Sequence, residues 1–241
     1  MKFAWLLTGL ALGVGLSSVS IAELAPGFDA ALMSSARPAD EKVRDAARKP
    51  AEVLNFVGIN AGMTVLEMSA GAGWYTEVLS AAVGPDGHVI AQNSPRFEAR
   101  VGDASHARAE RLGNVDVRFA DIGALGLSNE VDAAFTALNL HDGANRSDEA
   151  GMAFLNEIYA ALEPGGVLGF IDHIGIEGQD NASLHRIEKA RAIEMLTRAG
   201  FVIEAESDML MSSADDHTLN IRDSSLGRAT DRMLIRARKP Q

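Results

Sequence analysis

Residues 64–79, TVLEMSAGAGWYTEVL, constrain the fold more than any other stretch of the chain. An apolar run of strand length carries one acid, Glu67, near its end. Five small residues follow, Ser69-Ala70-Gly71-Ala72-Gly73, and Trp74 then opens a segment of helical period. A strand that turns into a helix through small residues can bring its backbone close to a ligand. The start of that helix offers N–H groups without intrahelical partners and a partial positive charge. The unit is therefore half of a parallel crossover and a cradle for one end of a small, partly anionic ligand.

The same change of period recurs along the chain. Strands are expected at 64–68, 88–91, 115–119, 131–137, 167–171, 201–207 and 233–237. Helices are expected between most of them, at 74–83, 97–112, 149–162 and 183–199. Gly84-Pro85-Asp86-Gly87 and Pro164-Gly165-Gly166 mark turns. Strands alternating with helices predict an α/β fold, a doubly wound and mostly parallel sheet with helices on both faces. Ahead of it, 40–57 reads as helical, with Val43, Ala47, Val53, Leu54 and Val57 as apolar positions and Pro50 as a break. The polar stretch 211–231, between the last two strands, suits a hairpin connection or a lid-like loop.

The chain has 241 residues and is 47% hydrophobic, enough for one domain with a sizeable core. Its net charge of -11 argues against nucleic acid as a partner, since that affinity rests on Lys and Arg. The absence of cysteine removes disulfides and thiolate metal sites. Lys2, the apolar run 3–16 and Ser20-Ile21-Ala22 form a secretory signal pattern. The expectation is an exported chain, periplasmic or secreted, with an uncleaved N-terminal anchor as the alternative. No later apolar run could span a bilayer. The organisation expected is a signal peptide at 1–22, a leader with a helix at 23–60 and an α/β domain at 61–241.

Two ligands compete for the turn. A dinucleotide fingerprint requires a third glycine three residues after Gly73, but Thr76 stands there, behind bulky Trp74 and Tyr75. Glu67 suits S-adenosylmethionine better, as a carboxylate for the ligand's ammonium. The string Glu67-Met68-Ser69-Ala70-Gly71-Ala72-Gly73 resembles the E/D-x-G-x-G-x-G motif of class I S-adenosylmethionine-dependent methyltransferases, with Ser69 at the first glycine position. Leu162-Glu163-Pro164-Gly165-Gly166-Val167-Leu168 is similar to that family's L-x-P-G-G-x-L segment. Residues 48–54, 73–77 and Asp172-His173 further resemble an exported, little-characterised predicted branch of the family. The resemblance spans roughly residues 40–241.

It implies a Rossmann-like sheet of seven strands whose last strand is antiparallel, with S-adenosylmethionine as cofactor. It also implies cofactor contacts at Glu67, Ser69, Ala70, Gly71, Gly73, Thr76, Asp121, Ile122 and Asn139. Tyr75 is expected to cover the cofactor or to pack the helix. Where the family carries a ribose-binding acid, this chain has Gln92 and Asn93, weaker partners for a diol than a carboxylate.

His141 and Asp142 follow the fourth strand, where the family places methyl transfer, and His173 follows the fifth. They are the catalytic candidates; a histidine there can take a proton from a hydroxyl or amine. His185 reads as a solvated helical residue. No H-E-x-x-H or comparable spacing is present, so no metal site is expected. Methyl transfer to a small-molecule acceptor is the leading reading. A non-catalytic ligand-binding protein on the same fold and an NAD(P)-dependent oxidoreductase are the alternatives. Arg44, Arg48, Lys49 and the 211–231 stretch are expected to shape the acceptor pocket. The sequence leaves the oligomeric state open.

Overall fold

A computed structural model describes residues 23–227 and 229–241. The signal pattern at 1–22 lies outside the described residues. Seven strands form one sheet: β1 (Thr64–Met68), β2 (His88–Asn93), β3 (Val115–Phe119), β4 (Val131–Ala137), β5 (Leu162–Gly175), β7 (Val202–Ser207) and β8 (Arg232–Arg238). A two-residue strand, β6 (Ile187–Glu188), pairs only with the end of β5. The order is β3-β2-β1-β4-β5-β8-β7. β1 to β5 run parallel, and β8 is antiparallel to both β5 and β7. This is the doubly wound, seven-stranded sheet the sequence predicted. The chain winds outward from β1 to β3, then crosses back to β4. The carboxyl ends of β1 and β4 therefore form the switch point at which open α/β sheets bind ligands.

The helices are α1 (Phe28–Met33), α2 (Ala39–Lys42), α3 (Asp45–Arg48), α4 (Pro50–Val57), α5 (Trp74–Val83), α6 (Glu98–Leu112), α7 (Leu140–Ala144), α8 (Asp148–Ala161), α9 (Asn181–Leu184) and α10 (Lys189–Arg198). Strand residues alternate between two cores. Leu66 and Met68 join Phe154, Leu155, Ile158, Met195 and Leu196 from α8 and α10. Val65 joins Val78, Leu79, Val53, Leu54 and Val57 from α5 and α4. Glu67 shares the face of Val65 and so points under α5. Phe28, Leu32 and Ile59 belong to this second core, so residues 23–60 are built into the domain rather than leading up to it.

Three expected elements differ. The segment 40–57 forms three short helices instead of one interrupted at Pro50, and Val43 of its expected apolar face is exposed. β5 is longer than 167–171 and carries Pro164-Gly165-Gly166 within it, the extra residues being absorbed by a register shift opposite Val131 and Ala133. The single helix expected over 183–199 is broken. Arg186 is fully buried and forms a two-pronged ion pair with Asp215, at 2.8 and 2.9 Å, while donating to the carbonyls of Ile174 and Leu219. These partners lie on β5 and on the 208–231 loop, so the backbone leaves the helix at His185 (φ 55°) and resumes it at Lys189. That break moves His185 off the solvated helix face assigned to it by periodicity.

Candidate functional site

The turn after β1 is held by the two amides at the end of β2. Gln92 and Asn93 are buried, 1% and 3% exposed. Gln92 Oε1 accepts from the Ser69 N–H (3.0 Å), and its amide group donates to the Ala120 carbonyl (2.7 Å). Asn93 Oδ1 accepts from the Gly71 N–H (2.8 Å), and its amide group donates back to the Gly71 carbonyl (3.1 Å). The Ala70 N–H bonds to the Gln92 carbonyl. A carboxylate could accept from the turn but could not donate to these carbonyls. The amides that replace the family's acid thus clamp β1's turn to β2 and β3. The sequence treated them only as partners for a ribose and missed this role.

Ser69 adopts φ 60°, the left-handed conformation for which glycine is the usual residue, which explains the family's preference at that position. Gly71 has φ 61° and open space where a Cβ would stand; at Gly73 a Cβ would lie 2.8 Å from Arg108 Nε. Gly71 therefore faces the ligand side and Gly73 the packed side.

A groove of about 700 Å³ opens above this turn. Ser69, Gly71, Gln92, Asn93, Asp121, Ile122, Asn139 and Asp142 line it, so the fold gathers eight of the expected site residues. Asp121 accepts from Ser94 Oγ (3.2 Å), and the Asn139 amide bridges the ends of β1 and β4 by donating to the Ala137 and Ser69 carbonyls. Phe97 and Phe154 supply apolar walls, and Arg96, Arg100 and Arg146 reach the groove from β2's following helices and from α7's end.

The remaining expected residues lie elsewhere. Ala70, Gly73 and Thr76 line a small crevice behind the turn. Glu67 is 4% exposed and accepts from Thr76 Oγ1 at 2.5 Å. Burial pushes its carboxyl up to about 8, against the lowering effect of that hydrogen bond and of the Arg108 and Arg48 charges. Tyr75 packs against Phe135 and Trp74, and burial pushes its phenol up to about 12. Arg48 stacks on Trp74 at 4.6 Å. Lys49 donates to the Met209 carbonyl.

At the other end of the groove α7 begins. Asp172, at the carboxyl end of β5, has no exposed surface. Its carboxylate accepts from the His141 backbone N–H (2.9 Å), pairs with His141 Nδ1 (2.6 Å) and accepts from the His173 N–H (2.8 Å). The His141 ring is thereby oriented, with Nε2 3.5 Å from Asp142 Oδ1. Burial opposes a charge on His141, but the Asp172 bond and the Asp172 and Asp142 charges outweigh it and raise its affinity for a proton. His185 Nδ1 lies 3.1 Å from the same Asp142 oxygen, and Arg222 of the 208–231 loop touches His185 Nε2 at 3.2 Å. Through this contact the loop reaches His185, while none of its described residues lines the groove. Leu138 (φ 67°) and His185 join Ser69 among the left-handed, non-glycine residues of the fold.

His173 does not reach the groove lining. It is 4% exposed, and its Nδ1 has no hydrogen-bond partner among the described residues. Burial, with Arg232, His141 and Arg186 nearby, pushes its imidazolium down to about 2, so the ring is neutral at any working pH.

A family model for the protein-L-isoaspartate(D-aspartate) O-methyltransferases matches residues 32–202. The chain belongs to this family. Its methyltransferase fold recurs in solved structures. A SAM-dependent methyltransferase from Aquifex aeolicus is 22% identical with a TM-score of 0.60, over 84% of this chain and 98% of that one. An arsenic(III) S-adenosylmethionine methyltransferase from Chlamydomonas reinhardtii is 19% identical with a TM-score of 0.56, over 90% and 74%. A possible exported protein from Bordetella parapertussis is 17% identical with a TM-score of 0.54, over 83% and 68%. No curated protein matches the sequence.

This methyltransferase is an enzyme, and S-adenosylmethionine is its cofactor. The residues present fit that group. The groove has the volume of a small-molecule site. It sits at the switch point, Gly71 leaves room for close approach, and both apolar and polar side chains line it.

Proposed function

We propose that this methyltransferase passes the methyl group to a small-molecule acceptor held at the His141–Asp142 end of the groove. The observation that carries the reading is the loop contact there. His185 contacts Asp142, Arg222 contacts His185, and the 208–231 loop that brings Arg222 lies beyond the matched residues 32–202. The acceptor end of this methyltransferase is thus partly its own.

In this reading Asp121 and Ile122 would hold the adenine, the Gln92 and Asn93 amides the ribose, and the Ser69–Gly71 backbone and Asn139 the methionine part. Glu67 and Thr76 brace the turn from behind. When bound, S-adenosylmethionine supplies an electrophilic methyl group on sulfur. The protein's part is to orient the acceptor in line with that group and to exclude water. His141 Nε2 and the Asp142 carboxylate receive the acceptor's O–H or N–H, and Asp172 fixes the ring that does so. His173 stands behind them as a neutral packing partner, its ring 5.7 Å from that of His141. The N-terminal pattern supports action outside the cytoplasm, which N-terminal sequencing of the protein from fractionated cells would test.

The family's name supports a second reading, an isoaspartyl residue of a protein as acceptor. Incubation with methyl-labelled S-adenosylmethionine and an extract of the source cells separates the two. Label in the low-mass fraction, lost in His141→Ala, supports the small-molecule reading. Label confined to protein overturns it. Full turnover by His141→Ala removes His141 from the catalytic set.

A further inference from the structure

The sequence offered no metal spacing, yet the fold brings three ligand-type side chains to one point. His141 and Asp142 open α7, and His185 ends α9, 43 residues further along the chain. One ring nitrogen from each histidine and one carboxylate oxygen of Asp142 lie within 4.8 Å of one another. We propose that His141, Asp142 and His185 form a binding site for a divalent first-row metal ion of the zinc type, at the acceptor end of the groove.

Spacing supports this. Ligand bonds of about 2.0–2.1 Å at tetrahedral angles put ligand atoms roughly 3.3 Å apart. The two measured separations at Asp142 Oδ1, 3.5 Å to His141 Nε2 and 3.1 Å to His185 Nδ1, bracket that value. The surroundings support it as well. A metal-binding imidazole usually gives its other nitrogen to a carboxylate, which fixes the tautomer and aims the free lone pair. The fully buried Asp172 does this for His141 at 2.6 Å. Two imidazoles and one carboxylate are also a borderline donor set that suits zinc or its neighbours better than magnesium or calcium.

Three protein ligands leave at least one position of the ion open. Of the three ligands Asp142 lines the groove, beside Gly143, so an ion there would stand at the groove's acceptor end. There the ion would hold an oxygen or nitrogen of the acceptor and, by occupying His141 Nε2, would replace that atom's direct contact with the acceptor; this use rests on the methyl-transfer reading, whereas the binding site itself does not. One contact opposes the ion. Arg222 Nη1 touches His185 Nε2, and a metal on Nδ1 would leave a hydrogen on Nε2 facing that guanidinium. Arg222 is exposed and can turn away. Its removal should therefore favour the ion.

The test is zinc titration calorimetry on the untagged full chain, stripped with chelator, with the visible spectrum of the cobalt(II)-loaded protein as a second readout. The expected result is one ion per chain, with affinity reduced at least tenfold in both Asp142→Asn and His185→Ala. Arg222→Ala should be unchanged or tighter, and the cobalt spectrum should show the intense bands of a four-coordinate site. His217, which pairs with Asp231 at 2.8 Å, is the control, and His217→Ala should bind as the parent does. Asp142 and His185 are partly exposed, so both variants should fold, and melting curves check it. Absence of stoichiometric binding, binding indifferent to both variants, or loss in His217→Ala instead would overturn the site. S-adenosylmethionine titrated into the metal-free protein gives an independent answer on cofactor binding, so the two readings can fail separately.

Discussion

The two ends of the groove are built by opposite means. At the cofactor end a contiguous motif makes the turn, and backbone N–H groups of Ser69, Ala70 and Gly71 are already paired with Gln92 and Asn93. At the acceptor end the residues come from α7, β5, α9 and the 208–231 loop: the His141 and His185 ring nitrogens converge on Asp142 Oδ1, Asp172 holds His141 and Arg222 touches His185. The first end is preorganised by internal satisfaction, the second by a buried carboxylate that holds buried His141 beside the partly exposed Asp142 and His185. A ligand meets a fixed turn at one end and a set of titratable side chains at the other.

The largest expected effect lies under the acceptor end. Asp172→Ala would leave the His141 ring N–H and two backbone N–H groups without their partner in a fully buried position. A loss of about 3–5 kcal/mol in urea unfolding is expected, in line with breaking a buried charged pair. A loss below about 1 kcal/mol would mean that the carboxylate does not organise this end.

The next concerns the acid behind the turn. Glu67 titrates at about 8 in the folded chain, above its ordinary value of 4.5, because burial disfavours its charge. Between those values the unfolded chain has released the proton and the folded chain holds it. Stability from this group is therefore complete below pH 4.5, declines as pH rises towards 8, and is level above it. The decline should amount to at most a few kcal/mol. The difference between wild type and Glu67→Gln in chemical unfolding, followed from pH 4 to 9, should show that slope. A difference that is flat across the window would place Glu67 in a wetter setting than the fold indicates.

Legibility followed the same division. The strand–turn–helix of 64–83 and the alternation of strands and helices were readable because apolar period and small residues are local signals. Asp121, Asn139 and Asp142 were singled out by family resemblance, and the fold places all three on the groove. Long-range partners left no local trace. The helical period across 183–199 concealed the break at His185, because the cause is a buried ion pair to Asp215, 29 residues away. Gln92 and Asn93 looked like a weakened ribose site because their partners, Ser69 and Gly71, lie 23 and 22 residues earlier. Glu67 was assigned to the ligand's ammonium, while strand alternation turns it under α5 to Thr76.

The central claim is that the groove above the clamped turn binds S-adenosylmethionine. Titration calorimetry of the protein with S-adenosylmethionine and with its demethylated product tests this directly. The account predicts one molecule bound per chain, weakened about tenfold by Asp121→Ala and by Asn93→Ala, which loosens the turn at Gly71. No binding of either compound at millimolar concentration, or binding indifferent to both substitutions, would contradict it.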